Sequence, residues 1–196
     1  MDGVGAIVLA AGGSSRFGRP KQLLVFEGES LVRRSMRVAA EAGCDPVIVV
    51  VGNVRDQIET ELRETTAIIV ENCQWQRGLG TSIRSGLRDL LGATPKLRAV
   101  VLLACDQPFI DKRIITSLYL QWRNSGKSIV AASYANTLGI PALFERIWFD
   151  SLLALPDDSG AKMLIESHLA YVTEIEFPKG AIDIDTPMDV ERLGGC

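Results

Sequence analysis

Three short runs of almost wholly apolar residues place the strongest constraint on how this 196-residue chain folds. They lie at residues 4–11, 46–51 and 97–105. A strand that is buried on both faces reads as a continuous hydrophobic run, whereas a strand with one solvated face alternates apolar and polar residues. The three runs therefore predict central strands of a sheet that other elements cover on both sides.

Helix signals occupy the segments between these runs. Ser30 and Asp111 are suited to cap helix N-termini, because their side-chain oxygens accept hydrogen bonds from free backbone amides. Gly43 and Gly126 are suited to end the same two helices, since glycine adopts the left-handed conformation without strain. Further helices are predicted at residues 54–64, 80–91, 145–155 and 159–168, and shorter strands at 67–70, 129–133 and 171–177. This alternation predicts an α/β fold with a mainly parallel sheet.

Length and composition narrow the class of protein further. The length suits a single domain over residues 1–196, and no repeat or linker divides it. A net charge of −3 argues against nucleic-acid binding, which needs a basic surface. No apolar run approaches the roughly 20 residues that span a bilayer, no secretory leader is recognisable, and the four cysteines form no CxxC pair. We therefore expect a reduced, cytoplasmic protein with neither nucleic acid nor membrane as a partner.

Glycines and polar residues directly follow the apolar runs. Gly12, Gly13 and Ser14 come after the first run, and Asp106 comes after the third. In an open parallel sheet, ligands bind outside the carboxyl ends of the strands. These residues are therefore predicted to lie at one edge of the sheet, within reach of a ligand.

The sequence LAAGGSSRFGRPKQL, at residues 9–23, combines this glycine turn with positive charge. Glycines let backbone amides approach an anion closely, and successive amides in a tight turn form a concave phosphate site. Arg16 and Lys21 would add cationic contacts to a polyphosphate. The alternative interpretation is a solvated glycine-rich turn whose basic residues bind no ligand.

Two familiar phosphate-binding loops do not match this stretch. A Walker A loop requires Lys-Ser or Lys-Thr after its second glycine, but Arg19 and Pro20 follow Gly18. The dinucleotide fingerprint GxGxxG follows a strand, whereas Gly3 and Gly5 lie at the beginning of the first run. Neither loop is therefore predicted.

Acidic residues after the third run and near the C-terminus are candidate metal ligands. Asp106 can bind Mg²⁺, which prefers oxygen ligands and shares them with phosphates; a simple turn aspartate is the alternative. Asp183 and Asp185 share one face if residues 182–185 are extended. Either is a candidate second ligand, or a favourable charge at the N-terminus of a helix that Thr186 is predicted to cap.

Three motifs resemble those of the nucleotidyltransferases that act on sugar phosphates and on the molybdenum cofactor. Residues 9–21 are similar to the family loop LAAGxSxRxGxxK, CDQP at 105–108 is similar to the cytidylyltransferase branch, and residues 183–189 resemble a D-x-D/N-T-P-x-D motif. The resemblance extends from residue 4 to about residue 193. It implies a three-layer, Rossmann-like nucleotidyltransferase fold with a mainly parallel, mixed sheet.

The reaction that this resemblance implies is a magnesium-dependent transfer of CMP from CTP to the terminal phosphate of a molybdopterin-type acceptor, with release of pyrophosphate. It also implies transient contact with a molybdoenzyme or its chaperone. Three alternatives stay open. One is GTP or a sugar phosphate as substrate, another is binding of nucleotide or molybdenum cofactor without turnover, and the third is a nicotinamide-dependent oxidoreductase that lacks the dinucleotide fingerprint.

The resemblance further implies roles for particular residues. Arg16, Lys21 and Asp106 are the expected catalytic residues, while Asp106 and Asp185 are the expected Mg²⁺ ligands, with Asp183 as a supporting candidate. The expected nucleotide contacts are Leu9, Ala10, Ala11, Gly12, Gly13, Ser14, Arg16, Lys21, Gly80 and Ser82.

The segments that resemble the family's acceptor site depart from it at three positions. Gly139, Pro141 and Lys162 are the expected acceptor contacts, but Ile140 stands where a polar residue is usual. Asp157 replaces a glycine, and Lys162 replaces an arginine, which exchanges a bidentate contact for a point charge. A solvated lysine at a helix start is the alternative for Lys162.

Two residues of chemically reactive types are interpreted as structural. Cys105 follows a buried strand and is expected to pack as a small apolar side chain. His168 is the single histidine of the chain and lies in an amphipathic segment without an evident partner. Neither is expected to act in catalysis.

Overall fold

A seven-stranded sheet forms the middle layer of the computed structural model, which describes residues 1–13, 20–184 and 187–193. The strands are β1 Val4–Ala10, β2 Val25–Phe26, β3 Glu29–Ser30, β4 Val47–Val51, β5 Ile68–Glu71, β6 Ala99–Ala104, β7 Ile129–Tyr134, β8 Thr137–Glu145 and β9 Val172–Glu176. The helices are α1 Leu31–Glu41, α2 Arg55–Glu61, α3 Leu79–Ala93, α4 Lys112–Ser125, α5 Phe149–Leu153, α6 Ala161–Ser167 and α7 Pro187–Arg192. Within the described part of the chain, no helix is both long enough and apolar enough to cross a membrane.

The strand order across the sheet is β5-β4-β1-β6-β8-β7-β9, while β2 and β3 form a separate small hairpin. Strand β8 pairs antiparallel with both β6 and β7. The other neighbours pair parallel, which confirms the predicted mainly parallel sheet. Because β1 and β6 are adjacent and parallel, the chain leaves both strands at the same edge of the sheet.

Helices cover both faces of the sheet, as the apolar runs predict. Val8 and Ala10 of β1 pack on one face, in a core shared with α1 and α4, while Ile7 and Leu9 pack on the other, in a core shared with α3. Successive strand residues point to opposite faces, so every residue of β1 is buried. The three-layer α/β architecture is thereby confirmed.

The predicted ends of α1 and α4 are confirmed, whereas the helices predicted at residues 54–64 and 145–155 are shorter, at Arg55–Glu61 and Phe149–Leu153. The side chains of Ser30 and Asp111 accept hydrogen bonds from backbone amides in the first turns of α1 and α4. Gly43 and Gly126 follow these helices with φ of 91° and 67°. The predicted end of α3 at Gly92 is wrong, because Gly92 keeps a helical conformation and the helix continues to Ala93. A glycine ends a helix only where the chain turns left-handed.

Strand β8 is not anticipated by the apolar pattern. It contains Gly139 and Pro141, and both residue types are unfavourable inside a strand. The register shifts between Ala131 and Ala132 of β7, so that Ile140 and Pro141 have no partner in the ladder to β7. Such a bulge accommodates a proline, which has no N–H to donate. Residues Thr137–Glu145 are therefore part of the sheet.

Candidate active site

A cavity of about 180 Å³ opens at the edge of the sheet where β1 and β6 end, and we call it the edge cavity. Its lining consists of Leu9, Ala11, Gly12, Lys21, Leu79, Ser82, Ala104, Cys105, Asp106 and Ile140. Predicted nucleotide-binding or catalytic residues among them are Leu9, Ala11, Gly12, Lys21, Ser82 and Asp106. The structure therefore brings the start of the glycine turn, a lysine and a carboxylate together around one cavity.

Lys21 and Asp106 form an ion pair inside the edge cavity. The Nζ atom of Lys21 lies 2.6 Å from Oδ2 of Asp106, although 85 residues separate them in sequence. Their side chains are only 16% and 24% exposed, so water screens the pair less than it would at an open surface. Both charges point into the space where the sequence predicts a polyphosphate and a metal ion.

Gln22 holds the start of the glycine turn in place. Its side chain is buried, and Nε2 donates to the carbonyl oxygens of Ala10, at 2.7 Å, and of Gly12, at 2.8 Å. Both donor hydrogens of the amide are thereby directed at the backbone that leaves β1. Gln22 has no role among the residues predicted from the sequence, and its position next to Lys21 is the single signal that could have suggested one.

We expect the substitution Gln22→Met to weaken nucleotide binding about tenfold and to lower the free energy of unfolding by about 1–3 kcal/mol. Methionine has a similar shape but cannot donate to the two carbonyl oxygens. Calorimetric titration with CTP and urea unfolding measure the two effects. Gln121→Met is the matched control, because Gln121 donates to Thr173 at 2.9 Å away from the edge cavity. Equal nucleotide affinity in the two variants would contradict the role given to Gln22.

Two glycines beside the edge cavity are needed for the close approach of Trp75. A Cβ atom on Gly13 would lie 2.7 Å from Cζ3 of the indole, and one on Gly52 would lie 2.9 Å from its Cγ. Real Cβ atoms essentially never come so close. Trp75 therefore packs across the ends of β1 and β4, and Gly13, an expected nucleotide contact, also has this packing role.

Ser82 is positioned by a buried hydrogen-bond network. The Nδ2 atom of Asn72 donates to Oγ1 of Thr81 at 2.8 Å and to Oγ of Ser82 at 3.0 Å. Asn72 follows β5, and Ser82 lies in the first turns of α3. The network holds the Ser82 hydroxyl at the cavity wall, where a hydroxyl can both donate and accept.

Gly80 packs against the loop that precedes α6. Its amide donates to the carbonyl oxygen of Asp157 at 3.0 Å, and a Cβ atom at this position would collide with the carbonyl oxygen of Pro156. The amide is therefore already used within the protein. The assignment of Gly80 to the nucleotide stays a prediction, whereas its packing role follows from the geometry.

Asp157 ties the same loop to α3. Its carboxylate pairs with the guanidinium groups of Arg84 and Arg77, and Arg84 also donates to the carbonyl oxygen of Leu155. The hydrogen bond from Arg84 is the main cause that lowers the pKa of Asp157 below its ordinary value. The departure from glycine at this position therefore adds a link between the loop and the start of α3.

The expected acceptor contacts occupy different environments. Gly139 and Pro141 are buried in β8, and the residue between them, Ile140, lines the edge cavity. Lys162 is half exposed, and its Nζ lies 3.7 Å from Glu166 one helical turn further along α6. It does not line the edge cavity. Acceptor contacts by Gly139, Pro141 and Lys162 stay predictions.

Several expected site residues lie outside the described part of the chain, namely Ser14, Arg16 and Asp185. The described residues before Asp185 reach Asp106 directly, because the amide of Ile184 donates to the carbonyl oxygen of Asp106 at 2.8 Å. Asp183 is exposed. Helix α7 begins at Pro187, as the predicted helix start requires. Within the described residues, no three side chains of His, Cys, Asp or Glu cluster as a metal site.

Cys105 and His168 have structural environments. Cys105 is buried, and burial raises the pKa of its thiol, so the nucleophilic thiolate is disfavoured. The ring centroid of His168 lies 4.7 Å from that of Trp148, and its Nδ1 lies 3.0 Å from the carbonyl oxygen of Leu164. Both environments agree with the structural interpretation drawn from the sequence.

Comparison with known proteins gives the family of this site. Residues 6–172 match the model of the MobA-like NTP transferase domain. The chain is 30% identical to nicotine blue oxidoreductase of Paenarthrobacter nicotinovorans, with 97% of the chain and 96% of that protein covered. It is 25% identical to molybdenum cofactor cytidylyltransferase of Escherichia coli, with 96% and 94% covered.

Two solved structures have the same architecture as this chain. Rv0371c of Mycobacterium tuberculosis superposes with a TM-score of 0.80 at 30% identity, over 97% of this chain and 96% of that chain. The same protein in complex with manganese superposes with a TM-score of 0.76 at 28% identity, over 97% of both chains.

Proposed function

Since the chain belongs to the MobA-like NTP transferase family, and is thus a nucleotidyltransferase, we propose that it transfers CMP from CTP to the terminal phosphate of a molybdopterin-type acceptor and releases pyrophosphate. The observation that carries the proposal is the ion pair of Lys21 and Asp106, 2.6 Å apart in the edge cavity. A cation for phosphates and an oxygen ligand for a metal ion meet there beside the glycine turn. The CDQP tetrapeptide and the similarity to a cytidylyltransferase support CTP as the nucleotide.

The proposed nucleotidyl transfer requires the protein to supply little beyond positioning and charge. An acceptor phosphate is already ionised near neutral pH, because its second pKa lies near 6. It can therefore attack the α-phosphorus of CTP without a general base, and the bond to the β-phosphate oxygen breaks as the new bond forms. The buried thiol of Cys105 is not needed as a nucleophile. Holding the two phosphates in line and neutralising their charge supplies the rate enhancement.

Lys21 is proposed to bind the β- and γ-phosphates of CTP. Its ammonium group contacts Asp106 in this structure and would move to the phosphates as the nucleotide enters. Arg16 is proposed as a second phosphate contact. Gln22 supports the phosphate site by fixing the backbone at Ala10 and Gly12.

Asp106 and Asp185 are proposed to hold Mg²⁺. Two observations fit this ion: the Asp106 carboxylate already neutralises a cation in the cavity, and Ile184, the residue before Asp185, donates to the Asp106 backbone. Carboxylate oxygens are the protein ligands that Mg²⁺ prefers. When bound, the ion supplies positive charge to the phosphoryl oxygens. The manganese complex of Rv0371c supports a divalent-ion site in a relative.

Pyrophosphate release with each nucleotide and each acceptor tests the proposal. We expect CTP with molybdopterin and Mg²⁺ to give pyrophosphate and a CMP–pterin product, and GTP to give at least about tenfold less, a difference of about 1.4 kcal/mol in transition-state binding. Release only with GTP, or only with a sugar phosphate, would replace the proposed substrates. Binding of CTP without any pyrophosphate, at saturating Mg²⁺ and acceptor, would indicate a binding protein instead.

A further inference from the structure

Gln107 joins two segments that are distant in sequence. Its side chain is buried, 5% exposed, and Nε2 donates to the carbonyl oxygen of Gly180 at 2.8 Å. Nearby, the amide of Ile184 donates to the carbonyl oxygen of Asp106 at 2.8 Å. These hydrogen bonds run in opposite directions, one from each segment to the other. Together they bind residues 106–107 to residues 180–184, which we call the C-terminal segment.

The acceptor of the Gln107 hydrogen bond has a well-defined position. Gly180 lies in a short 3-10 turn, and its amide donates to the carbonyl oxygen of Phe177 at 2.8 Å. A Cβ atom on Gly180 would lie 2.6 Å from Cδ1 of Phe177 and 2.7 Å from Cδ1 of Tyr134. The turn therefore packs against two aromatic rings, and the hydrogen bond from Gln107 joins residues 106–107 to a well-packed part of the C-terminal segment.

The amide side chain of Gln107 combines satisfied and unsatisfied polar atoms. Its Oε1 atom is buried and has no hydrogen-bond partner among the described residues. A buried acceptor without a partner is destabilising, and an apolar side chain of the same shape would avoid that cost. The Gln107 side chain also hydrogen-bonds with the side chain of Tyr134, and its Nε2 holds the C-terminal segment next to Asp106.

We propose that Gln107 is a positioning residue that holds the C-terminal segment against Asp106 and thereby sets the affinity of the site for a divalent cation. This inference rests on the proposed function, in which Asp106 and Asp185 share the ion. Gln107 contacts neither the cation nor the substrates in this scheme and acts through the backbone of Gly180. Partners that orient metal ligands typically change metal affinity by 10- to 100-fold when they are removed.

Manganese binding by the purified full chain tests this inference. The Mn²⁺ ion alone is titrated into wild type, Gln107→Met and Gln107→Leu, and free Mn²⁺ is followed by electron paramagnetic resonance. We expect both variants to bind Mn²⁺ about 10-fold or more weakly, while CTP affinity measured in EDTA stays within about twofold of wild type, since the edge cavity's phosphate contacts are untouched. In turnover assays, we expect the metal concentration for half-maximal rate to rise and the rate at saturating metal to be kept.

A control variant separates this effect from general destabilisation. In a buried region on another part of the sheet, Nε1 of Trp148 donates to Oγ of Ser128 at 2.9 Å. The substitution Ser128→Ala removes this hydrogen bond. We expect this variant to lose thermal stability and to keep wild-type Mn²⁺ affinity. Equal Mn²⁺ affinity in wild type and both Gln107 variants would overturn the inference. Parallel losses of Mn²⁺ and metal-free CTP affinity would overturn it too, because they would indicate general unfolding.

The same experiment distinguishes this inference from the proposed function. Wild-type protein that binds Mn²⁺ through Asp106, shown by loss of binding in Asp106→Asn, but transfers no nucleotide would remove the proposed function and leave the role of Gln107 testable by affinity. Wild-type protein that transfers CMP while Gln107→Met binds Mn²⁺ normally would remove the role of Gln107 alone. Wild-type protein that binds no Mn²⁺ would overturn the inference.

Discussion

Replacing Asp106 by asparagine is expected to lower the rate of CMP transfer by about 1,000-fold, the upper end of the loss seen when one electrostatic group of an active site is removed. Asparagine keeps the shape of the side chain and removes the charge that faces Lys21 across 2.6 Å. Without the carboxylate, the site loses the ligand that the described part of the chain provides for a hard cation. Pyrophosphate release at saturating CTP, acceptor and Mg²⁺ measures the effect.

The control for this variant is Asp111→Asn. Asp111 lies five residues further along the same connection and caps α4 by accepting from two backbone amides. Asparagine caps helices nearly as well as aspartate, so we expect activity and stability close to those of wild type. If Asp106→Asn kept more than about a tenth of wild-type activity, a barrier difference below about 1.4 kcal/mol, its proposed role would be wrong.

Replacing Lys21 by methionine is expected to have two opposite effects. Transfer from CTP should fall by about 100-fold, because the phosphates lose a charged contact in a partly enclosed site. Binding of Mn²⁺ in the absence of nucleotide should become tighter, because the ammonium group that competes for Asp106 is gone. A stability assay alone would not separate these effects, whereas titration with CTP and with Mn²⁺ measures each one.

The opposite signs make the Lys21 experiment decisive. Lys127→Met serves as control, since Lys127 is exposed and its Nζ donates to the carbonyl oxygen of Ala170, away from the edge cavity. We expect no change in either titration for that variant. Unchanged CTP affinity in Lys21→Met would place the lysine outside the nucleotide site. Weaker Mn²⁺ binding would show that Lys21 supports the metal ligand instead of competing with it.

Local sequence signals predict the parts of this fold that depend on local chemistry. Continuous apolar runs give the buried strands β1, β4 and β6, and the side chain of Ser30 and the conformational freedom of Gly126 give helix ends. Strand β8 escapes prediction because its bulge contains Pro141, and a bulge is defined by the partner strand rather than by its own residues. The structure of β8 is therefore determined by pairing with its neighbouring strands and not by its local sequence.

In the candidate site too, the sequence predicts residues that act through their own chemistry but not residues that act through contacts with distant backbone. Lys21 and Asp106 could be predicted because each carries its own charge, Lys21 within the glycine-turn stretch and Asp106 directly after a strand. Gln22 and Gln107 could not, because each acts by donating to backbone carbonyl oxygens, and nothing in a sequence marks which carbonyl lies opposite an amide. Gly80 is predicted to contact the nucleotide, but the structure also gives it a packing role, because a side chain there would collide with the neighbouring loop.

Because β8 runs antiparallel to its neighbours, strands of opposite direction contribute residues to the same edge of the sheet. Strands β5, β4, β1 and β6 run in one direction, and β1 and β6 end at the edge cavity. Strand β8 runs in the opposite direction and brings Ile140, near its start, to the lining of the same cavity. The two halves meet along a four-residue ladder between β6 and β8. Substitutions at Ile140 are therefore expected to change the lining of the edge cavity while leaving the carboxyl ends of β1 and β6 in place.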